Sequence, residues 1–375
     1  MTARHLYVHV PFCRRRCVYC DFSIAVRRAV PAADYLAALA READRLRRPQ
    51  AGGSQPAALD PGRLSTLYLG GGTPSLLGGE GIARITNLLC CGAELTECTI
   101  EANPDDVTPE AAQAWVRAGV TRLSLGAQSF DAGVLRWMHR THDAAAIAAA
   151  VTNARRAGFA NVSLDLIFAL PASLGRDLDA DLSRVLALEP EHVSLYGLTV
   201  EDHTPLARSA ARGDASPAPE QLYEEEYLRI LGRLTADGYR LYEVSNAARP
   251  GFEAVHNRAY WRLVPYLGLG PSAHSFDGTT RWWNEAAYAR WQRLLARGES
   301  PVAGREILRP EQARLEALYL GLRTSEGIEL PEPVAPQLAA TVSSWVAAGW
   351  ADVLGGRVTL TPRGWLRLDE LAASL

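Results

Sequence analysis

The sequence predicts an α/β fold in which repeated strand–helix units build a parallel sheet, and three observations carry that prediction. Short β-branched or apolar runs alternate with longer Ala/Leu/Arg-rich stretches. Apolar residues within those stretches recur at three- and four-residue spacing. Glycine or polar residues stand where several of the short runs end.

In order, the strand candidates are Leu6–Val10, Thr66–Leu69, Glu97–Glu101, Arg122–Leu125, Val162–Ile167 and His192–Tyr196, which makes six units. Helices are expected at Ala32–Arg47, Pro109–Arg117, Ala144–Arg156 and Leu178–Leu188. Thr108 before Pro109 and Glu110 marks a helix start with proline in the first turn. Gln50–Gly62, rich in Gly, Pro, Ala and Ser, reads as a mobile surface insertion. The GDASPAP segment at Gly213–Pro219 is a second break, after which Glu220–Leu234 again reads as helix. The chain then divides into residues 1–212, an extension over 213–304, and a C-terminal part over 305–375. In the last, helices at Glu311–Leu322 and Pro336–Ala348 precede a hairpin with a Gly-Gly turn, which predicts a small winged-helix-like appendage. Few cations lie in its second helix, so packing or partner docking fits it better than DNA binding.

Of the 375 residues 48% are hydrophobic and 22% charged, a composition that buries a sizeable core. A formal net charge of −3 with scattered arginines provides no basic field, so no nucleic acid is expected as a partner. Neither a signal segment nor a membrane-length apolar run is read, so the expected location is cytoplasmic. Three of the six cysteines fall between positions 13 and 20, which suits a metal site in a reducing compartment better than a disulfide framework. Cys90, Cys91 and Cys98 sit in or beside apolar runs and read as buried structural thiols.

Cys13, Cys17 and Cys20, spaced C-x3-C-x2-C directly after the first strand, place three thiolates on one short loop. Such thiolates can converge on one cuboidal [4Fe–4S] cluster and leave one iron open. The open iron can accept the amino and carboxylate groups of S-adenosylmethionine (SAM). Arg14, Arg15 and Arg16 add positive charge that should favour the ionised thiols. The alternative is structural zinc, whose fourth ligand would be His9 or Asp21, neither completing a usual set. Gly70-Gly71-Gly72-Thr73 follows the second strand and would let the backbone approach a ligand, or form an ordinary turn. Glu101, Asn103, Gln128 and Asp165 are polar residues at or near strand ends in apolar surroundings. There a ligand would offset the cost of burial, although neighbouring groups could also do so.

Tyr7 with the cysteine loop, GGGTPS, IEANPD, LSLGAQSF and DLIFALP together resemble the radical-SAM family, in particular the oxygen-independent coproporphyrinogen III oxidase group and its heme-chaperone branch. The resemblance spans nearly the whole chain and implies a partial, open (β/α)6 TIM-like barrel with SAM across the strand ends. It implies that Tyr7 and Tyr19 flank cluster and SAM, and that Gly71, Gly72 and Thr73 touch SAM's amino-acid part. Glu101, Gln128, Arg140 and Asp165 would hold SAM or a second ligand. The oxidase pattern has a cysteine two places after the third ligand; Phe22 stands there, as in the chaperone branch. His256-Asn-Arg-Ala-Tyr260-Trp261 is similar to that branch's HNxxYW motif, which makes His256 a candidate axial ligand of heme, with Tyr260 and Trp261 as apolar walls. A loop histidine bonded to backbone is the plain alternative, and His274 is a second candidate ligand.

The resemblance therefore implies a heme chaperone that binds heme and passes it to an acceptor protein, with a [4Fe–4S] cluster and SAM as cofactors. It leaves room for an electron donor and for membrane-bound acceptors. The rival is an enzyme of porphyrin biosynthesis that decarboxylates coproporphyrinogen III propionates through a SAM-derived radical.

Overall fold

The computed structural model describes residues 3–47, 58–331 and 333–375. Six parallel strands succeed one another: β1 His5–Val10, β2 Thr66–Gly71, β3 Glu97–Ala102, β4 Arg122–Gln128, β5 Asn161–Phe168 and β6 His192–Gly197. All six predicted strands are present. The helices between them include Ala32–Arg47, Gly78–Cys90, Pro109–Arg117, Ala144–Ala157 and Leu178–Ala187. Their starts follow capping chemistry: Thr108 accepts from Ala111 N, Asp143 from Ala146 N and Asp177 from Ala180 N. Gly158, in the left-handed region at φ 107°, ends the Ala144–Ala157 helix.

Strand register separates the two faces of this sheet. Val8, Leu69, Ile100, Leu123 and Val162 are successive partners across β1 to β5, all buried beneath the helices. On the other face Glu101, Ser124, Ser163 and His192 are partners, with Asp165 beside Ser194. A parallel sheet covered on both faces normally reads as near-continuous apolar strands. The polar residues of this face depart from that pattern. Arg122 is one of its buried members, and its Nε and Nη1 have no hydrogen-bond partner among the described residues.

The rest of the chain lengthens the sheet without closing it. Arg240–Glu243 (β7) and Asn246–Ala248 (β8) add antiparallel strands beyond β6. Tyr266–Leu269 (β9) pairs in parallel with β1, followed by antiparallel His274–Phe276 (β10), Thr280–Asn284 (β11) and Val302–Ile307 (β12). The result is one open twelve-stranded sheet, ordered β12-β11-β10-β9-β1-β2-β3-β4-β5-β6-β8-β7. The Glu220–Ala236 helix buries Tyr227, Ile230, Leu231 and Leu234 in the main core. Beyond β12 come helices Pro310–Leu322 and Pro336–Ala347 and a small sheet of Ile328–Glu329 (β13), Ala351–Leu354 (β14) and Arg357–Leu360 (β15). Gly355 and Gly356, both at positive φ, make its hairpin turn.

Of the Gln50–Gly62 insertion, residues 50–57 lie outside the described residues. Its end is anchored, since Leu59 is buried and its N–H bonds the Leu46 carbonyl at 3.1 Å. Among the described residues no helix is long and apolar enough to cross a membrane.

Candidate cluster and cofactor site

The chain leaves β1 into a loop that closes on itself. Phe12–Cys13 pairs with Ala25–Val26, and Arg27 N bonds the Cys13 carbonyl at 2.9 Å. Cys13, Cys17 and Cys20 are free thiols bordering one cavity of about 410 Å³, at the carboxyl ends of the strands. Among the described residues no three His, Cys, Asp or Glu side chains converge on a point where they could share one ion.

The arginine triplet does not do what its sequence suggests. Arg14 pairs with Asp106 at 2.6 Å, and Arg16 donates to the Cys20 carbonyl at 3.0 Å. Burial pushes the Cys13 thiol up to about 11 and raises that of Cys20, where it outweighs the opposing charge of Arg16. The guanidinium that reaches a sulfur comes from the far side of the cavity, where Arg140 Nη1 lies 3.5 Å from Cys17 Sγ. Iron binding would itself draw off the remaining protons.

Two half-buried carboxyl groups face the same cavity. Glu101 accepts from Tyr68 OH at 2.8 Å and from Gly71 N at 3.0 Å, yet burial still pushes its carboxyl up to about 7. Burial likewise raises Asp165 to about 6, against the opposing charge of Arg122 and hydrogen bonds from Ser194 and Ser124. A cationic ligand in the cavity would draw both into the ionised form. Gln128 supplies the clearest mark of a missing partner: its buried Oε1 has no hydrogen bond among the described residues, on a backbone held at φ 67°. Polar cradle, paired carboxyls and orphaned amide oxygen together fit SAM, whose sulfonium and ammonium are positive and whose adenine offers donors.

The Glu101 shift has a sign that can be tested without ligand. A carboxyl raised from its ordinary 4.5 to about 7 holds its proton in the folded state over a range where the unfolded chain has lost it. Stability is therefore greatest at low pH and is lost as pH rises from ~4.5 through ~7, by about 3 kcal/mol. Glu101→Gln should flatten this slope in urea unfolding of the ligand-free protein between pH 5.5 and 8; a slope equal to wild type would clear Glu101 of the effect.

The glycines are needed for a reason other than ligand approach alone. A Cβ on Gly71, at φ 107°, would lie 2.5 Å from the His9 ring, and one on Gly72 would lie 2.7 Å from the Phe12 carbonyl oxygen. Both residues border the cavity, but the space that they leave is filled by β1 and the root of the cysteine loop. Sequence reasoning expects Gly72→Val to block SAM and spare the cluster. The added side chain would press on the loop's backbone, so iron content should fall together with SAM binding; a full cluster in that variant would restore the simpler account.

Tyr19 and Thr73 line the cavity, as do Arg140 and Asn103. Tyr7 lies deeper: its ring stacks on Tyr68 with centroids 6.0 Å apart, and its hydroxyl meets His9 Nδ1 at 3.1 Å. Its place is in the wall behind the site. Sequence reasoning missed Tyr68, Ser124, Ser194 and Arg122, which hold the two carboxyls. The signal was available, since each occupies a polar position in a strand whose alternate residues are apolar.

The HNxxYW residues do not join this cavity. His256 is fully buried in the Val255–Trp261 helix, whose first amides, Val255 N and His256 N, donate to Glu97 at 2.8 and 3.1 Å. Its Nδ1 meets Thr66 Oγ1 at 2.7 Å and its Nε2 meets Tyr260 OH at 2.7 Å. Thr66 and Glu97 open their strands, so this helix closes the end of the sheet opposite the cysteines. Burial lowers His256 to about 3, which keeps the ring neutral. For the expected axial ligand, both ring nitrogens are engaged and the ring is fully buried, so ligation of heme would require this pair of hydrogen bonds to open. Tyr260 packs edge-on against Tyr266, with ring centroids 4.6 Å apart. Trp261 borders a separate cavity of about 490 Å³ and lies under the Arg323 guanidinium at 4.3 Å. His274 is exposed and stacks on Trp283. Among the other cysteines Cys98 is buried and Cys90 partly so, but Cys91 is exposed, which corrects its reading as a buried thiol.

An open parallel sheet with a three-cysteine loop after its first strand defines a radical SAM protein, and the Radical SAM superfamily is matched over residues 7–184. The chain is 37% identical over 376 residues to the heme chaperone HemW of Mycobacterium tuberculosis, covering 99% of this chain and 94% of that protein. With the Bacillus subtilis heme chaperone HemW it shares 34% identity over 326 residues, covering 86% and 84%. Among solved structures, Escherichia coli coproporphyrinogen III oxidase (HemN), a radical SAM enzyme, superposes with a TM-score of 0.79 at 23% identity, covering 100% of this chain and 89% of that one. The chain belongs to the HemW family of radical SAM proteins.

Proposed function

We propose that this protein is a cytoplasmic heme chaperone that binds heme and hands it to an acceptor protein. In this reading it carries a [4Fe–4S] cluster on Cys13, Cys17 and Cys20, with SAM in the adjoining cavity. The observation that carries the reading is the near full-length match to proteins named heme chaperones, at 99% coverage of this chain. Likeness to the oxidase at 23% identity supports the fold alone. Phe22, in place of the cysteine of the oxidase pattern, favours the chaperone branch.

A reduced cluster, when bound, would supply an electron to SAM. The chain's own part is to hold and orient. Thr73 and Glu101 bracket the glycine turn, Arg140 crosses from the opposite wall, and Gln128 offers an unpaired acceptor. Residues 1–212 would form the radical SAM part, 213–304 the extension that closes the sheet's far end, and 305–375 a winged-helix-like docking element. Anaerobic reconstitution with iron, sulfide and SAM, followed by parallel assays of heme retention and coproporphyrinogen III decarboxylation, tests the function. Heme held and passed on without decarboxylation is expected; decarboxylation would establish the oxidase instead.

A further inference from the structure

We propose that Thr73 and Arg140 set the reduction potential of the cluster by hydrogen-bonding two of its three cysteine sulfurs. Thr73 Oγ1 lies 3.4 Å from Cys13 Sγ, and Arg140 Nη1 lies 3.5 Å from Cys17 Sγ. Neither donor is free to swing away. Arg140 Nη2 is pinned to Asn103 Oδ1 at 2.6 Å and to the Gly126 carbonyl at 2.7 Å, which leaves Nη1 aimed at the sulfur. A Cβ at Gly126 would crowd the ends of two side chains, Gln128 Nε2 at 2.9 Å and Arg140 Nη2 at 3.0 Å. Thr73 is buried and follows Gly72, whose own packing against the Pro11–Phe12 backbone fixes the turn beneath the loop.

Two of the ligands are thus met by side chains that mutation can change, one neutral and one cationic. One-electron reduction adds negative charge to the cluster and its sulfurs, so each donor favours the reduced form. The cation should do so more strongly than the hydroxyl. On the potential Thr73 and Arg140 act as positioning residues, through the cysteines; their contacts with SAM are a separate role, so the potentials are read without SAM.

The proposal rests on the cluster reading, and the experiment separates the two. Wild type, Thr73→Val, Thr73→Ser, Arg140→Gln and Arg140→Lys are reconstituted anaerobically, and iron and sulfide are counted before anything else. No cluster in the wild type would sink the cluster reading itself. With clusters present, midpoint potentials are read by electron paramagnetic resonance during redox titration. Arg140→Gln should titrate more negative by about 59 mV or more, a tenfold change in a one-electron equilibrium. Thr73→Val should move in the same direction by less, with Thr73→Ser restored to wild type and Arg140→Lys in between. Wild-type midpoints in Arg140→Gln and Thr73→Val would overturn the proposal. Should Arg140→Gln not retain four irons, the Thr73→Val and Thr73→Ser pair decides alone.

Discussion

Alanine at Cys13, Cys17 or Cys20 is expected to take bound iron and sulfide from about four each per chain to near zero. In a cuboidal cluster each thiolate would bind a separate iron, so losing one would leave an iron without its protein ligand. Cys90, Cys91 and Cys98 lie outside the cavity, so alanine at any of them should leave iron content unchanged. Colorimetric iron and sulfide assays check both halves. Loss of iron on changing Cys98 in a folded protein would show that the ligands are wrongly assigned.

The second large effect concerns His256. Its replacement by alanine should lower the unfolding free energy of the cofactor-free protein by about 2–4 kcal/mol, because Thr66 and Tyr260 lose a buried partner and a cavity opens at the base of the sheet. A lower denaturant midpoint with an unchanged m-value reads this directly. Heme bound by the folded variant should keep the wild-type Soret spectrum. Wild-type stability together with an altered Soret band would return His256 to the role of axial ligand.

Much of the frame was legible in the sequence because local physics fixes it. Alternating strand and helix patterns with Thr108 and Pro109 as a helix start located the units, and the cysteine spacing located the loop. Where Arg140 would reach was not legible, since its contacts with Cys17, Asn103 and Gly126 span gaps of 123, 37 and 14 residues. The arginine triplet misled for the same reason: nearness in sequence put cations beside the thiols, whereas in space Arg14 turns to Asp106. His256 misled differently. A histidine in a recognisable motif invites a ligand role, but its partner Thr66 lies 190 residues earlier, and only the assembled sheet reveals that both nitrogens are taken.

The position of β1 in the middle of the sheet bears on how the protein can be made. Its neighbours are β2, synthesised by residue 71, and β9, which is not complete until residue 269. At ordinary ribosomal speeds of about 5–20 residues per second, roughly 10–40 seconds separate the two. During that interval the first strand presents unpaired N–H and C=O groups along one side, and the far end of the sheet lacks its plug. A nascent chain released near residue 212 would hold every cysteine of the candidate cluster yet keep that edge bare. Self-association, and not a working half-protein, is the expected fate of such a fragment, since the first strand's second edge is covered only once the chain has been made to residue 269.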